Sequence, residues 1–188
     1  MTLPFTVSGD LVEADSTSIY ILRNVISNEK MQDIKKIIDK NANSIEEYSE
    51  SCNVKSTYVR LQDIEHYNPK IYQEINRTFE YIRNEIETYI CPMKTSVDYC
   101  GMQLRKIHGP TRIHIDTPTG INKIRWYSVI VALNNDYEGG ELSFPRQDLK
   151  IKLKAGEALI FPPYWTHPHG TTDLLNGTFR YTINTWLY

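Results

Sequence analysis

An α+β fold, mainly β, with N-terminal helices packed on one face of a jelly-roll double sheet is what this sequence predicts, on three observations. Apolar residues recur at helical spacing in the first half of the chain. After about residue 95, short segments rich in β-branched and aromatic residues alternate with Gly, Pro, Asn and Asp. About seven such segments fit into roughly 90 residues, the density of a two-sheet β architecture.

Taken in chain order, Ser18–Leu22 reads as a short strand. Met31, Ile34, Ile37 and Ile38 form one stripe, which predicts a helix from about Glu29 to Lys40 with Ser27 as a candidate cap. Ile71, Ile75, Phe79, Ile82 and Ile86 predict a longer helix ending near Tyr89, with Asn68 at the N-cap and Pro69 at the first helical position. Strands are expected near Tyr99–Ile107, Arg112–Ile115, Trp126–Leu133, Glu141–Phe144, Leu149–Leu153, Glu157–Phe161 and Phe179–Leu187. Asn134-Asn135-Asp136, Gly139-Gly140 and Ala155-Gly156 mark connections between them.

With 188 residues the chain fits one domain. Its 21 Lys and Arg against 23 Asp and Glu give no basic excess, so nucleic acid is not an expected partner. No run approaches the length of a membrane span and the N-terminus lacks the pattern of a secretory signal, so no membrane partner and a cytoplasmic setting are expected. Cys52, Cys91 and Cys100 lack paired spacing and read as free thiols. Composition leaves the oligomeric state open.

Two short motifs carry chemistry. In His114-Ile115-Asp116 an imidazole and a carboxylate stand two residues apart, which in a strand turns both to one face, where they can share an ion. The run from Phe161 to His169 then supplies His167 and His169, of equal parity. Two histidines and one carboxylate, with positions left open, form the ligand set of non-haem Fe(II) oxygenases, whose open positions take a 2-oxo acid and O2. In Phe179–Trp186 the even residues share a face opposite the apolar odd ones, which aligns Arg180 with Thr182. An inward guanidinium needs an anion, either a carboxylate of 2-oxoglutarate or an internal Asp or Glu.

These residues lead to a resemblance. His114-Ile115-Asp116, Arg125, Ser128 to Asn134, Tyr137 to Pro145, Gly156 to Phe161, Pro168-His169 and Arg180-Tyr181 follow one another in order, and together resemble the prolyl-4-hydroxylase-like branch of the 2-oxoglutarate/Fe(II) oxygenase superfamily. The resemblance implies a double-stranded β-helix, with residues 1–95 as helical support and residues 96–188 as the catalytic core. It implies Fe(II) at His114, Asp116 and His169, 2-oxoglutarate with its far carboxylate on Arg180 and Thr182, O2 as oxidant and ascorbate as a helper. By position, His169 rather than His167 is the second histidine ligand, and His167 becomes a neighbour facing substrate or solvent. Arg125 and Trp165 are candidate substrate contacts.

The resemblance further implies hydroxylation of an amino-acid side chain, first of all a prolyl residue of a peptide or protein, with release of succinate and CO2. A free amino acid or other small molecule as substrate, a non-catalytic metal-binding jelly roll and a cupin-type isomerase are the competing readings. Two positions depart from the pattern. Leu104 and Arg105 stand where relatives carry a co-substrate-binding tyrosine, which leaves Tyr99, Gln103 and Arg105 as candidates, and Ala132 replaces an aromatic residue.

Overall fold

Side-chain alternation along the strands divides the apolar residues between two cores, and the helices cover one of them. The computed structural model describes residues 5–6, 10–14, 17–41, 47–48, 55–117 and 124–188. The elements are β1 (Phe5–Thr6), β2 (Leu11–Glu13), β3 (Tyr20–Leu22), α1 (Asn28–Asn41), β4 (Glu47–Tyr48), β5 (Lys55–Arg60), α2 (Leu61–Tyr67) and α3 (Pro69–Tyr89). There follow β6 (Gln103–Ile107), β7 (Thr111–His114), β8 (Tyr127–Ala132), β9 (Glu138–Gly139), β10 (Leu142–Phe144) and β11 (Leu149–Ile151). The last are β12 (Ala158–Phe161), β13 (His169–Thr171), β14 (Leu174–Leu175) and β15 (Arg180–Leu187).

A nine-stranded antiparallel sheet runs β1-β2-β3-β12-β8-β15-β6-β5-β4, and a four-stranded sheet runs β11-β10-β13-β7. On the large sheet, Leu104, Val129, Val131, Ile183 and Leu187 point one way, into a core with Ile34 and Ile38 of α1 and Ile75, Phe79 and Ile82 of α3. Their strand neighbours Ala132, Leu159 and Phe161 point the other way, into a second core with Leu142, Phe144, Ile151 and Leu153. Residues two apart share a face, so β3, β8 and β12 serve both layers. Burying each large apolar side chain contributes about 1.5–3 kcal/mol, which makes the α3 stripe the main anchor of the helices.

α1, α3 and most strands from β6 onward follow the expected plan, and the first 95 residues, expected as helical support, also supply β1 to β5 of the large sheet. Asn68 caps α3, its Oδ1 accepting from Ile71 N at 3.2 Å, with Pro69 in the first turn. Ser27 contributes its carbonyl, to Met31 N at 3.0 Å. Eight elements were not expected: the short strands β1, β2, β4, β9 and β14, and also β5, α2 and β13. β5 (KSTYVR) is too polar to read as a strand, and α2 spans only seven residues, too short for a helical period to declare itself. β13 follows the Pro-rich run Pro162–Pro168, which masks it. Cys91 and Cys100 carry free thiols; Cys52 lies outside the described residues, as does most of the Thr117–Lys123 loop. Among the described residues no helix is long and apolar enough to cross a membrane.

Candidate active site

β7 and β13 pair so that His114 stands opposite His169. Their rings lie 4.5 Å apart, and Asp116, two residues past His114 on the same face, completes the group. Its Oδ1 is 3.3 Å from His114 Nε2 and its Oδ2 is 3.7 Å from His169 Nε2. One ligand atom from each of the three residues falls within 4.8 Å of the others. A register shift between His169 and Thr171 marks a bulge, and Gly170 sits in it for a steric reason. A Cβ there would lie 2.6 Å from the carbonyl oxygen of Thr111, so only glycine allows β7 to approach this closely.

Both imidazoles are oriented by main-chain carbonyls. His114 Nδ1 lies 2.9 Å from Arg112 O and His169 Nδ1 lies 3.1 Å from His167 O. A carbonyl only accepts, so each Nδ1 carries a proton, and in the neutral ring the lone pair is on Nε2. That is the tautomer a metal ligand needs. Phe144 and Phe161 wall His169 at ring distances of 5.7 and 4.6 Å. Burial pushes its pKa down, against the pull of Asp116, and keeps it neutral. His114 is likewise penalised by burial, but the Asp116 carboxylate outweighs this and raises it.

Asp116 is fixed from four directions. Burial penalises its charge, yet the hydrogen bond with His114, the nearby His169 and the Ser128 hydroxyl outweigh that and hold the carboxyl below the usual carboxylate range. Ser128 Oγ donates to Asp116 Oδ2 at 2.6 Å. The Pro163 carbonyl accepts from Asp116 N and Thr117 N, both at 3.1 Å, and from Thr117 Oγ1 at 2.8 Å. Arg125 donates through NH1 to the Asp116 carbonyl at 2.5 Å, with its guanidinium 3.6 Å from the Trp186 ring centre. Arg125, expected at the substrate, therefore braces Asp116 as well.

The even residues of β15 line the same interior. Arg180 is buried and donates through NH1 to Gly140 O at 2.8 Å, while its Nε has no partner. Gly140 is one of two consecutive glycines with positive φ, +65° and +63°, as the expected turn requires. Among the described residues no carboxylate pairs with Arg180, so the internal Asp or Glu anticipated as an alternative is not found there. Burial pushes the guanidinium down to about 10, which still leaves it charged at neutral pH. Along the strand, Thr182 Oγ1, Asn184 Oδ1 and Trp186 Nε1 are also buried without a partner. Four polar atoms in a row on one strand face, all unsatisfied, mark a surface built for a polar occupant.

The empty tyrosine position is resolved by register. Leu104 points into the helix-side core, whereas Arg105 pairs across from Thr182 and lies close enough to His114 and Arg180 to disfavour the charged form of each. Gln103 Oε1 accepts from Arg105 Nε at 2.8 Å. Tyr99 is on the other side, donating to Glu80 at 2.6 Å. Trp165 stands at the rim, 66% exposed, 5.1 Å from the Arg146 guanidinium.

His167 departs from expectation. It faces neither substrate nor solvent: it is buried, with Nε2 donating to Thr17 O at 2.8 Å and Nδ1 accepting from Thr166 Oγ1 at 2.9 Å. His167 closes a turn, its N donating to Tyr164 O at 2.8 Å, and lies outside β13, so strand parity with His169 does not apply to it. Ser128 and the Pro163 carbonyl were missed as site residues. Alternation on β8 places Ser128 on the interior face, and that signal was available; a carbonyl leaves none.

Residues 102–188, from the residue before β6 to the end of the chain, match the profile of the 2OG-Fe(II) oxygenase superfamily. This part of the chain belongs to that superfamily. The oxygenase segment contains the His114, Asp116 and His169 group and Arg180, and superfamily membership carries Fe(II), 2-oxoglutarate and O2 as the reacting set. Solved structures agree in fold. The chain is similar to the viral collagen prolyl hydroxylase of Paramecium bursaria Chlorella virus-1 in its 2OG complex, with 17% identity and a TM-score of 0.68 over 92% of this chain and 97% of that one. A prolyl hydroxylase from Trichoplax adhaerens, in complex with a peptide fragment of the hypoxia inducible factor oxygen degradation domain, matches at 14% identity and a TM-score of 0.66, covering 93% and 84%. A Pseudomonas putida prolyl-4-hydroxylase matches at 13% and 0.61, covering 92% of each chain. No curated protein matches the chain. These likenesses make the fold a double-stranded β-helix of the prolyl hydroxylase type.

Proposed function

We propose that this chain is a 2-oxoglutarate/Fe(II)-dependent dioxygenase that hydroxylates a prolyl residue of a peptide or protein, as one domain spanning residues 1–188. The observation that carries the co-substrate assignment is Arg180: a buried, charged guanidinium that meets one carbonyl, with an orphaned Nε beside the orphaned hydroxyl of Thr182. A dianionic 2-oxo acid would supply the missing partners, a carboxylate for the planar fork and an acceptor for the hydroxyl. At the other end of the interior, His114, Asp116 and His169 have the donor set and the tautomers for Fe(II). When bound there, iron and 2-oxoglutarate supply the oxidation, giving succinate and CO2.

The remaining work belongs to the side chains. Asp116 stays ionised through its hydrogen bonds, and His169 stays neutral through burial, so both are ready to bind without a proton change. Phe144, Phe161 and Leu159 keep water from the inner side of the group. Arg125, stacked on Trp186, and the exposed Trp165 form the open side and are assigned to the substrate. The prolyl reading is supported by the kind of protein this chain resembles, one of them holding a peptide.

The test is anaerobic reconstitution with Fe(II), followed by O2, 2-oxoglutarate and ascorbate, with succinate measured against a panel of proline-containing peptides and free amino acids. A gain of one oxygen atom on a prolyl residue, by mass spectrometry, is expected. Succinate formation stimulated by a free amino acid and by no peptide would overturn the peptide assignment, and no succinate from folded, metal-loaded protein would overturn the enzyme assignment.

A further inference from the structure

β8 ends at Ala132, where Thr182 of β15 is its last partner on that side, and the next position in register across from Arg180 would be Asn134. The chain has already turned away there, so no backbone is present to continue the ladder. The side chain of Asn134 takes its place. Its Oδ1 accepts from Tyr181 N at 2.7 Å and its Nδ2 donates to Phe179 O at 2.9 Å. These are the main-chain groups on either side of Arg180. Nδ2 also donates to Asp136 Oδ1 at 2.7 Å, which fixes the amide's orientation. Asn134 is itself buried, and Leu133 N donates to Tyr181 O at 2.9 Å just below it.

The first residues of a strand fray unless they are paired, and Arg180 has a strand partner on one edge, Ile107 of β6, and none on the β8 edge. Arg180 is the first residue of β15, and its position decides where the guanidinium points. We infer that Asn134 is a positioning residue for Arg180, acting as a side-chain extension of β8 that holds the guanidinium in place for the co-substrate carboxylate. A carboxamide suits this because it alone among side chains of this length offers an acceptor and a donor in the geometry of a peptide group. The inference rests on the assignment of Arg180 to 2-oxoglutarate.

Binding of 2-oxoglutarate to the Mn(II)-loaded protein, measured by calorimetry, tests it without turnover. Asn134→Ala is expected to raise the dissociation constant of 2-oxoglutarate about tenfold, as loss of two hydrogen bonds would, while Mn(II) affinity stays within about twofold. In an Arg180→Ala background the same change is expected to have no further effect, because the group it positions is gone. Equal weakening in both backgrounds, or a parallel loss of Mn(II) affinity, would overturn the inference, since either indicates general loosening. If Asn134→Ala does not fold, Asp136→Ala probes the same link by freeing the amide: a rise of about threefold is expected, and no change overturns the inference. Arg180→Ala with undiminished 2-oxoglutarate binding would overturn the co-substrate assignment, and this inference with it; an effect at Arg180 with none at Asn134 overturns the inference alone.

Discussion

Ser128 Oγ donates to Asp116 Oδ2 at 2.6 Å from the strand beside β15, where Ser128 pairs with Trp186. The bond fixes one carboxylate oxygen and leaves the other to face His114. Ser128→Ala is expected to lower Fe(II) affinity by about tenfold to a hundredfold, the range found for groups that orient metal ligands. Fe(II) titration checks this, and 2-oxoglutarate affinity of the saturated protein should change little.

Gly170 allows β7 and β13 to approach until a Cβ would lie 2.6 Å from Thr111 O. Backbone cannot yield as a flexible side chain can. Gly170→Ala is expected to destabilise the protein by about 1–3 kcal/mol, a fall of several degrees in Tm. Because His114 and His169 face each other across that pair, metal affinity should fall too. Unchanged Tm and affinity would show that the pair tolerates a wider spacing.

Arg125 joins Trp186 and the Asp116 carbonyl through one planar group. Lysine keeps the charge but not the stacked plane. Arg125→Lys is expected to reduce turnover by about tenfold, or about 1.4 kcal/mol in the barrier. Steady-state kinetics of 2-oxoglutarate turnover to succinate checks it; wild-type kinetics in this variant would mean that charge alone suffices.

How much of this was legible in the sequence differs between strands and site. Runs rich in β-branched and aromatic residues between turn residues announced β8 and β12, and alternation added Arg180 and Thr182 to one face of β15; each strand has apolar residues toward the helices. β13 was hidden because its residues, His169-Gly170-Thr171, belong to the site and carry no apolar pattern. The group of His114, Asp116 and His169 was readable because metal chemistry restricts residue types. His167 misled for the opposite reason: its place depends on the Tyr164–His167 turn and on Thr17, a contact 150 residues apart that no local pattern encodes.

Glu87 at the end of α3 accepts from Thr95 N at 2.7 Å and Thr95 Oγ1 at 3.1 Å, and pairs with Arg83 at 2.9 Å and Lys94 at 3.0 Å. The Thr95 backbone bond foremost, against the cost of burial, holds its pKa at about 2, below the ordinary 4.5. A depressed carboxyl pKa stabilises the fold above the unfolded value, and that stability is lost as pH falls from about 4.5 to about 2. Glu87→Gln is expected to lower Tm at pH 7 by a few degrees and to flatten its decline across that window. Parallel Tm curves for the two proteins would assign the acid sensitivity to other groups.

The three bonds converging on the Pro163 carbonyl, and the two carbonyls that set the histidine tautomers, have one more consequence. They assemble the three donors from sheet and loop alone, so the protein has little left to gain by reshaping itself around one particular ion. Such a pre-set nest discriminates weakly among divalent first-row metals, and the order of intrinsic affinities would favour cobalt, nickel or zinc over iron. Occupancy by the correct ion then depends on what the surroundings supply, and mismetallation becomes the natural way for this enzyme to be silenced.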